Sequence, residues 1–315
     1  MSNHGQETIA QVRWGHSAVY IPSPPTLLVQ GGKTDPSGGN TYSSSPNSPE
    51  TILIPLQSPF QGASPPFVIA DPDLSPSDAF HTLSVVGAAG SSYTLLALGG
   101  DGGPEEATQT QADSAWLGLL EVDNGAVAWT HQATAWGNQP QRRLYHSAAG
   151  PGRDGKVYFT GGLKGDGSGA TFTDVWVYDP HTGGFQLLSP LPIGIYHHTS
   201  VLLLNGTLVV LAGLSTSSIT GNPAVVPLDT IYVLDTNVPG SSWEEKSADG
   251  APLGRRGASL TSNDNETGAF LFGGADGSLT EAYGDGWMLN FDTLSWSRVS
   301  DGSQGKSLRC LVRRS

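Results

Sequence analysis

Two dipeptides in this chain, Tyr145-His146 and Tyr196-His197, set a phenol beside an imidazole. Such a pair suits proton transfer or copper ligation, because imidazole titrates near neutrality and is a common transition-metal ligand. A second chemistry comes from arginine. Arg142-Arg143 and Arg255-Arg256 are paired in sequence, and Arg13 precedes an early histidine by three residues. Planar guanidinium groups grip carboxylates in bidentate fashion. Cysteine chemistry is narrow: Cys310 is the one cysteine, so an internal disulfide and a cysteine-based zinc site are both excluded.

The elements that must position these residues emerge when the chain is compared with itself. A His-Ser or His-Thr pair recurs at His16-Ser17, His81-Thr82, His146-Ser147 and His198-Thr199, and a fifth copy sets Gly257 at the histidine position. Each copy continues through two apolar runs to a small doublet: Gly31-Gly32, Gly99-Gly100, Gly161-Gly162, Ala212-Gly213 and Gly273-Gly274. The spacings from the histidine position to the first glycine of the doublet (Gly213 in copy four) are 15, 18, 15, 15 and 16 residues. In copy four the apolar runs flank Asn205-Gly206, a pair suited to a tight hairpin because both turn positions need positive φ. A third apolar run and a fourth, anchored by Trp129, Phe185, Trp243 or Trp296, complete the unit. Four antiparallel strands per repeat, with no helical periodicity, describe a propeller blade. The doublet glycines allow the chain to leave the second strand where a side chain would strike the next blade.

The doublets, the Tyr178–Phe185 step and the opening Arg143-Leu144-Tyr145-His146-Ser147 resemble kelch repeats, the family that includes galactose-oxidase-type propellers. The resemblance spans residues 13–299. It implies an all-β kelch-type β-propeller with five recognisable four-stranded blades, at about 13–70, 78–135, 142–190, 195–248 and 254–299. Residues 1–12 precede it as an N-terminal segment, of which 7–12 could add one strand. Residues 33–50, rich in Ser, Pro and Gly, read as a mobile surface loop. Such rings usually hold six or seven blades, and the repeat spacing puts the next histidine position at Cys310. The tail, 300–315, therefore reads as the first strand of a sixth blade cut short, or as an unrelated replacement. On this reading a blade edge is exposed and invites self-association.

Repetition gives the histidines a structural task, such as hydrogen-bonding the backbone of a neighbouring blade. The resemblance to galactose oxidase points instead to copper, since Tyr145-His146 and Tyr196-His197 match its dipeptide. That enzyme also needs a cysteine bonded to tyrosine and a histidine from a further domain. Cys310 lies outside any repeat, so the expectation is a binding or scaffold module with no catalytic residue, metal or cofactor. A galactose-oxidase-like copper-radical or other sugar-processing enzyme, and an ectodomain fragment of a larger membrane-anchored kelch protein, are the alternatives. The expected binding residues are Arg13, Arg142, Arg143, Tyr145, His146, Tyr196, His197, Arg255 and Arg256. They gather on one face with loops 101–113, 163–173, 214–229 and 275–284, and their expected ligand is a protein partner with an acidic motif. Arg13 and Arg143 also fit a plainer role, bracing blades. A net charge of −13 argues against nucleic acid. No run approaches the eighteen apolar residues of a membrane span. The first residues have no leader-like apolar core, which points to the cytoplasm; the sequons at Asn205 and Asn265 matter only in an extracellular setting.

Overall fold

The computed structural model describes residues 12–35, 44–61, 64–70, 75–102, 115–132, 136–216, 223–263, 265 and 267–300. Among the described residues, five four-stranded antiparallel sheets follow one another along the chain, each ordered by sequence. Blade one comprises Ser17–Pro22, Pro25–Gln30, Thr51–Pro55 and Val68–Ala70; blade two Thr82–Ala89, Ser92–Leu98, Ala115–Glu121 and Ala126–His131. Blade three comprises Ser147–Ala149, Val157–Thr160, Val175–Asp179 and Gly184–Leu188; blade four Thr199–Leu202, Thr207–Leu211, Thr230–Asp235 and Glu244–Ser247. Blade five comprises Ser259–Ser262, Gly268–Phe272, Gly286–Asn290 and Ser295–Ser300. First strands pack against first strands from blade one through blade five, which defines the axis of a propeller. The described helical turns are two short 3-10 segments, Val122–Asn124 and Trp136–Asn138.

Alternation along each second strand builds the core. Side chains of a strand point to opposite faces in turn, so one strand serves two inter-blade interfaces. In blade four, Leu208 and Val210 pack with Tyr158 and Val177 of blade three, whereas Val209 and Leu211 pack with Leu271 and Leu289 of blade five. Blade two divides the same way: Leu95 and Ala97 meet Leu28 of blade one, while Leu96 and Leu98 meet Phe159 of blade three. The fourth-strand aromatics tie each blade to the one before it. The indole N–H of Trp129 donates to Thr51 Oγ1 at 3.4 Å, that of Trp243 to the Ser189 carbonyl at 2.9 Å, and that of Trp296 to the Leu228 carbonyl at 2.9 Å. Phe185 has no such donor; Trp136 meets its ring edge-on at 5.5 Å and fills the space.

Two sequence expectations change here. Within the expected surface loop 33–50, Lys33, Thr34, Ser45 and Ser48 are buried and Lys33 Nζ donates to Asn47 Oδ1 at 3.0 Å, while residues 36–43 lie outside the described residues. The fifth repeat also shifts by one residue. Gly257 donates its N–H to the His197 carbonyl as His197 does to Tyr145, so Gly257 matches the residue before the histidine and Ala258 holds the histidine position. The expectations for residues 1–11 and the tail beyond Ser300, with Cys310, lie outside the described residues.

Candidate functional site

Every blade is entered by a short segment that pairs with residues just past a doublet. Arg13–Trp14 pairs with Lys33–Thr34, Arg143–Leu144 with Leu163–Lys164, and Ile195–Tyr196 with Leu214–Ser215. Single bridges Ala79 to Asp101 and Arg256 to Ala275 repeat the pattern in blades two and five. All the sequence-selected residues therefore lie at one end of the blades, the doublet face. The hairpins joining first to second strands lie at the other end.

At that face four of the five selected arginines are already neutralised. Arg143 is fully buried; its Nη1 donates to Asp174 Oδ1 at 2.5 Å and to the Gly161 carbonyl at 2.9 Å, and Nη2 donates to Asp174 Oδ2 at 2.9 Å. Arg255 repeats this with Asp285 at 2.5 Å and the Gly273 carbonyl at 3.0 Å. Arg13 does so with Glu50 and the Gly31 carbonyl. Aromatic rings cover two of these guanidinium groups, Phe172 at 4.1 Å from Arg143 and Tyr283 at 4.5 Å from Arg255. Each of these arginines thus joins its own doublet to its own third strand. Arg142 instead reaches back to blade two, donating to Asp78 Oδ1 at 2.5 Å and the Gly100 carbonyl at 2.8 Å.

The carboxylates are the residues that sequence reading missed. Asp174 and Asp285 each also accept an indole N–H two residues on, from Trp176 and Trp287, both at 2.6 Å. Burial pushes both carboxyls up, but the arginine and indole hydrogen bonds outweigh it and hold them below the usual carboxylate range. The signal was present as a repeated Asp-x-Trp after the doublet.

The histidines divide into two kinds. His81, His146 and His198 are buried between blades, over the doublet glycine of the preceding blade. His146 Nε2 shares a hydrogen bond with Thr82 Oγ1 at 2.8 Å, and His198 Nε2 with Thr160 Oγ1 at 2.7 Å. A neighbouring blade's hydroxyl is thus a partner of both rings, and His198 and His81 also meet backbone, that of Thr160 and Asp78. Burial pushes the His198 pKa down to about 3 and holds His146 well below its ordinary value, so both rings are neutral. His197 is different: it precedes the inter-blade histidine. The two Tyr-His dipeptides are consequently one step out of register, with Tyr145 equivalent to His197 and Tyr196, which is buried, equivalent to Leu144.

The residues at this preceding position form a ladder around the inner rim. Phe80 donates its N–H to the Gly15 carbonyl at 2.6 Å, Tyr145 to Phe80 at 3.2 Å, His197 to Tyr145 at 2.8 Å and Gly257 to His197 at 2.8 Å. Phe80, Tyr145 and His197 have φ of 61°, 54° and 53°, the left-handed region that bulky residues avoid at a cost of about 1–3 kcal/mol each. Their side chains meet as tilted ring pairs, Phe80 with Tyr145 at 4.5 Å and Tyr145 with His197 at 3.8 Å between ring centroids. Arg256 closes the series by donating to His197 Nε2. Burial first, then the Arg256 charge, keeps His197 neutral and able to accept that proton. Among the described residues Arg256 has no carboxylate partner.

Beside Tyr145, a cleft of about 380 Å³ opens on the same face, lined by Gly100, Arg142, Leu144, Leu163 and Lys164 among others. At the hairpin end a second groove, between blades four and five, carries Asp235, Glu244 and Asp292 on its wall, with Lys246 paired to Glu244. Comparison with protein families matches residues 80–312 to the KLHDC2/KLHL20/DRC7 Kelch-repeats domain. No curated protein matches the chain.

Proposed function

The chain belongs to the Kelch-repeat family, and from that premise we propose that it is a non-catalytic protein-binding module holding an acidic segment of its partner at the inner rim of the doublet face. Arg256 carries this reading. It is a partly exposed guanidinium whose hydrogen bond goes to a neutral imidazole, beside four arginines whose charge is already matched by carboxylates. A cation without a matched anion at a rim of strained, tilted rings favours an incoming carboxylate, with Tyr145 and Phe80 offering flat apolar contact. At the hairpin end Lys246 matches Glu244, and the remaining carboxylates of the groove, Asp235 and Asp292, disfavour the same ligand. The strained rim also gives a reason for holding Tyr145 and His197 away from relaxed backbone geometry: their side chains are presented side by side.

An immobilised library of acidic and neutral peptides tests the reading. Acidic peptides bind the native chain, and Arg256→Ala weakens them by roughly 1.5–3 kcal/mol, the range for a hydrogen bond to a charged group. Arg153→Ala, an exposed change at the hairpin end, leaves binding unaltered. Equal binding by the Arg256→Ala and native chains would remove the site.

A further inference from the structure

Past the doublet of blade five the chain makes a short hairpin built like its counterpart in blade three, except at one residue. Tyr283 donates its N–H to the Gly274 carbonyl as Phe172 does to Gly162, both at 2.8 Å, and Ala275 bridges Ala282 as Leu163 bridges Thr171. The tips align as Asp166-Gly167-Ser168-Gly169 and Asp276-Gly277-Ser278-Leu279, and in both the serine hydroxyl donates to the aspartate. Gly169 has φ of 72° and Leu279 has φ of 58°. Glycine adopts this left-handed conformation freely, whereas the Cβ of leucine crowds the following carbonyl. Blade three closes its tip with glycine, so the turn itself does not call for leucine. Nor does the core: Leu279 is 38% exposed and lies outside the hydrophobic clusters formed by the described residues.

The tip is also held in place. Asp276 accepts four hydrogen bonds, from the Ser278 hydroxyl, the Thr280 hydroxyl at 2.8 Å, the Thr280 N–H at 2.6 Å and the Glu281 N–H at 2.7 Å. These bonds, that of the Glu281 N–H first, hold its carboxyl well below the usual carboxylate range. Gly277 lies so close to Val225, past the doublet of blade four, that a methyl group there would strike it. The hairpin starts at Arg256: Ala275 exchanges N–H to carbonyl bonds of 2.9 and 3.0 Å with that residue. We infer that Leu279 is a specificity contact of the Arg256 site, packing against a large apolar side chain that flanks the partner's acidic residue. This rests on the acidic-segment reading above. The tip reaches roughly 7 Å past Ala275, about two residues of extended chain, which sets that side chain two or three residues from the carboxylate at Arg256. An apolar contact ordered before the partner arrives loses little freedom on binding, and backbone strain of this kind collects at ligand contacts.

Two sets of labelled peptides test this: acidic peptides carrying leucine two or three residues to either side of the carboxylate, and the same peptides with serine in that place. The native chain should bind the best leucine peptide about tenfold tighter than its serine twin. Leu279→Gly should bind the two equally, at the native strength for the serine peptide. Its urea midpoint should match or exceed the native one, because glycine relieves the left-handed backbone. Asp276→Ala should lose most of the preference and Asp276→Asn, which keeps an acceptor for the two backbone N–H groups, should restore it. A preference that survives Leu279→Gly, or a midpoint that falls with it, would overturn the inference and make the leucine a residue of the fold. Equal binding of both peptides by the native chain would overturn it while leaving the Arg256 site standing; binding of neither would overturn both. Self-association of the native chain that Leu279→Gly abolishes would give the leucine to a second copy and overturn it as well.

Discussion

Arg143 and Arg256 stand on the same face and do opposite things, and the difference lies in what surrounds each guanidinium. Arg143 is buried and matched by Asp174; removing it strands a carboxylate in a low-dielectric site. Arg143→Ala is therefore expected to cost about 3–5 kcal/mol of stability. Arg256→Ala, a partly exposed change with no ion pair to break among the described residues, should cost less than about 1 kcal/mol while weakening the ligand. Urea midpoints of the two variants check this, and comparable losses in both would contradict the division. The histidines supply a pH signature. Burial pulls His81 and His198 down to about 3, so they remain neutral in the fold and protonate near 6.5 once unfolded. The unfolded chain then binds more protons as pH falls, so stability is complete above 6.5 and drains away toward 3. Asp174 and Asp285, held below 3.8, act in the same direction but only at lower pH. Between pH 6 and 4, His198→Gln should reduce the slope of stability against pH by about 1.4 kcal/mol per unit. Urea unfolding at several pH values measures it; an unchanged slope would contradict a neutral buried ring.

At the scale of the blade, the repeat is a coupled set of positions. The imidazole of each inter-blade histidine rests on the first doublet glycine of the previous blade: His81 on Gly31, His146 on Gly99 and His198 on Gly161. Copy four carries Ala212 in place of that glycine, with φ of 64°, and copy five carries Ala258 in place of the histidine. The two departures compensate. Ala258→His alone should clash with the Ala212 methyl, whereas in the Ala212→Gly background the imidazole gains room and a hydroxyl, Thr199, at the place Thr82 serves His146. A double-mutant cycle should show coupling of roughly 1–3 kcal/mol; additive effects would dissolve the link. This coupling was only half legible in sequence. The doublets and strands were readable because glycine and β-period patterning leave local marks. Gly257 was mistaken for the histidine position because a repeat that has lost its histidine keeps no local marker of register. The Arg-to-Asp braces were invisible for another reason: Arg143 and Asp174 lie 31 residues apart and meet only when the doublet returns the chain to the entry segment.

Across the whole molecule, topology made one end of the propeller legible and left its chemistry open. Strand order alone puts Arg13, Arg142, Arg143, Arg255 and Arg256 on the doublet face. It does not say which of them are already matched, and that depends on Glu50, Asp78, Asp174 and Asp285. The same order fixes the hairpin end, where the groove with Asp235 and Asp292 lies. The two ends thus differ in what they offer a charged partner. Hydrogen–deuterium exchange on the complex with the tightest-binding acidic peptide of the library discriminates between them most directly. Binding at the inner rim should slow exchange in segments 78–82, 143–147, 195–199 and 255–258 and leave the hairpins at 150–156 and 203–207 unchanged. Protection confined to those hairpins, with the four entry segments unaffected, would contradict the account.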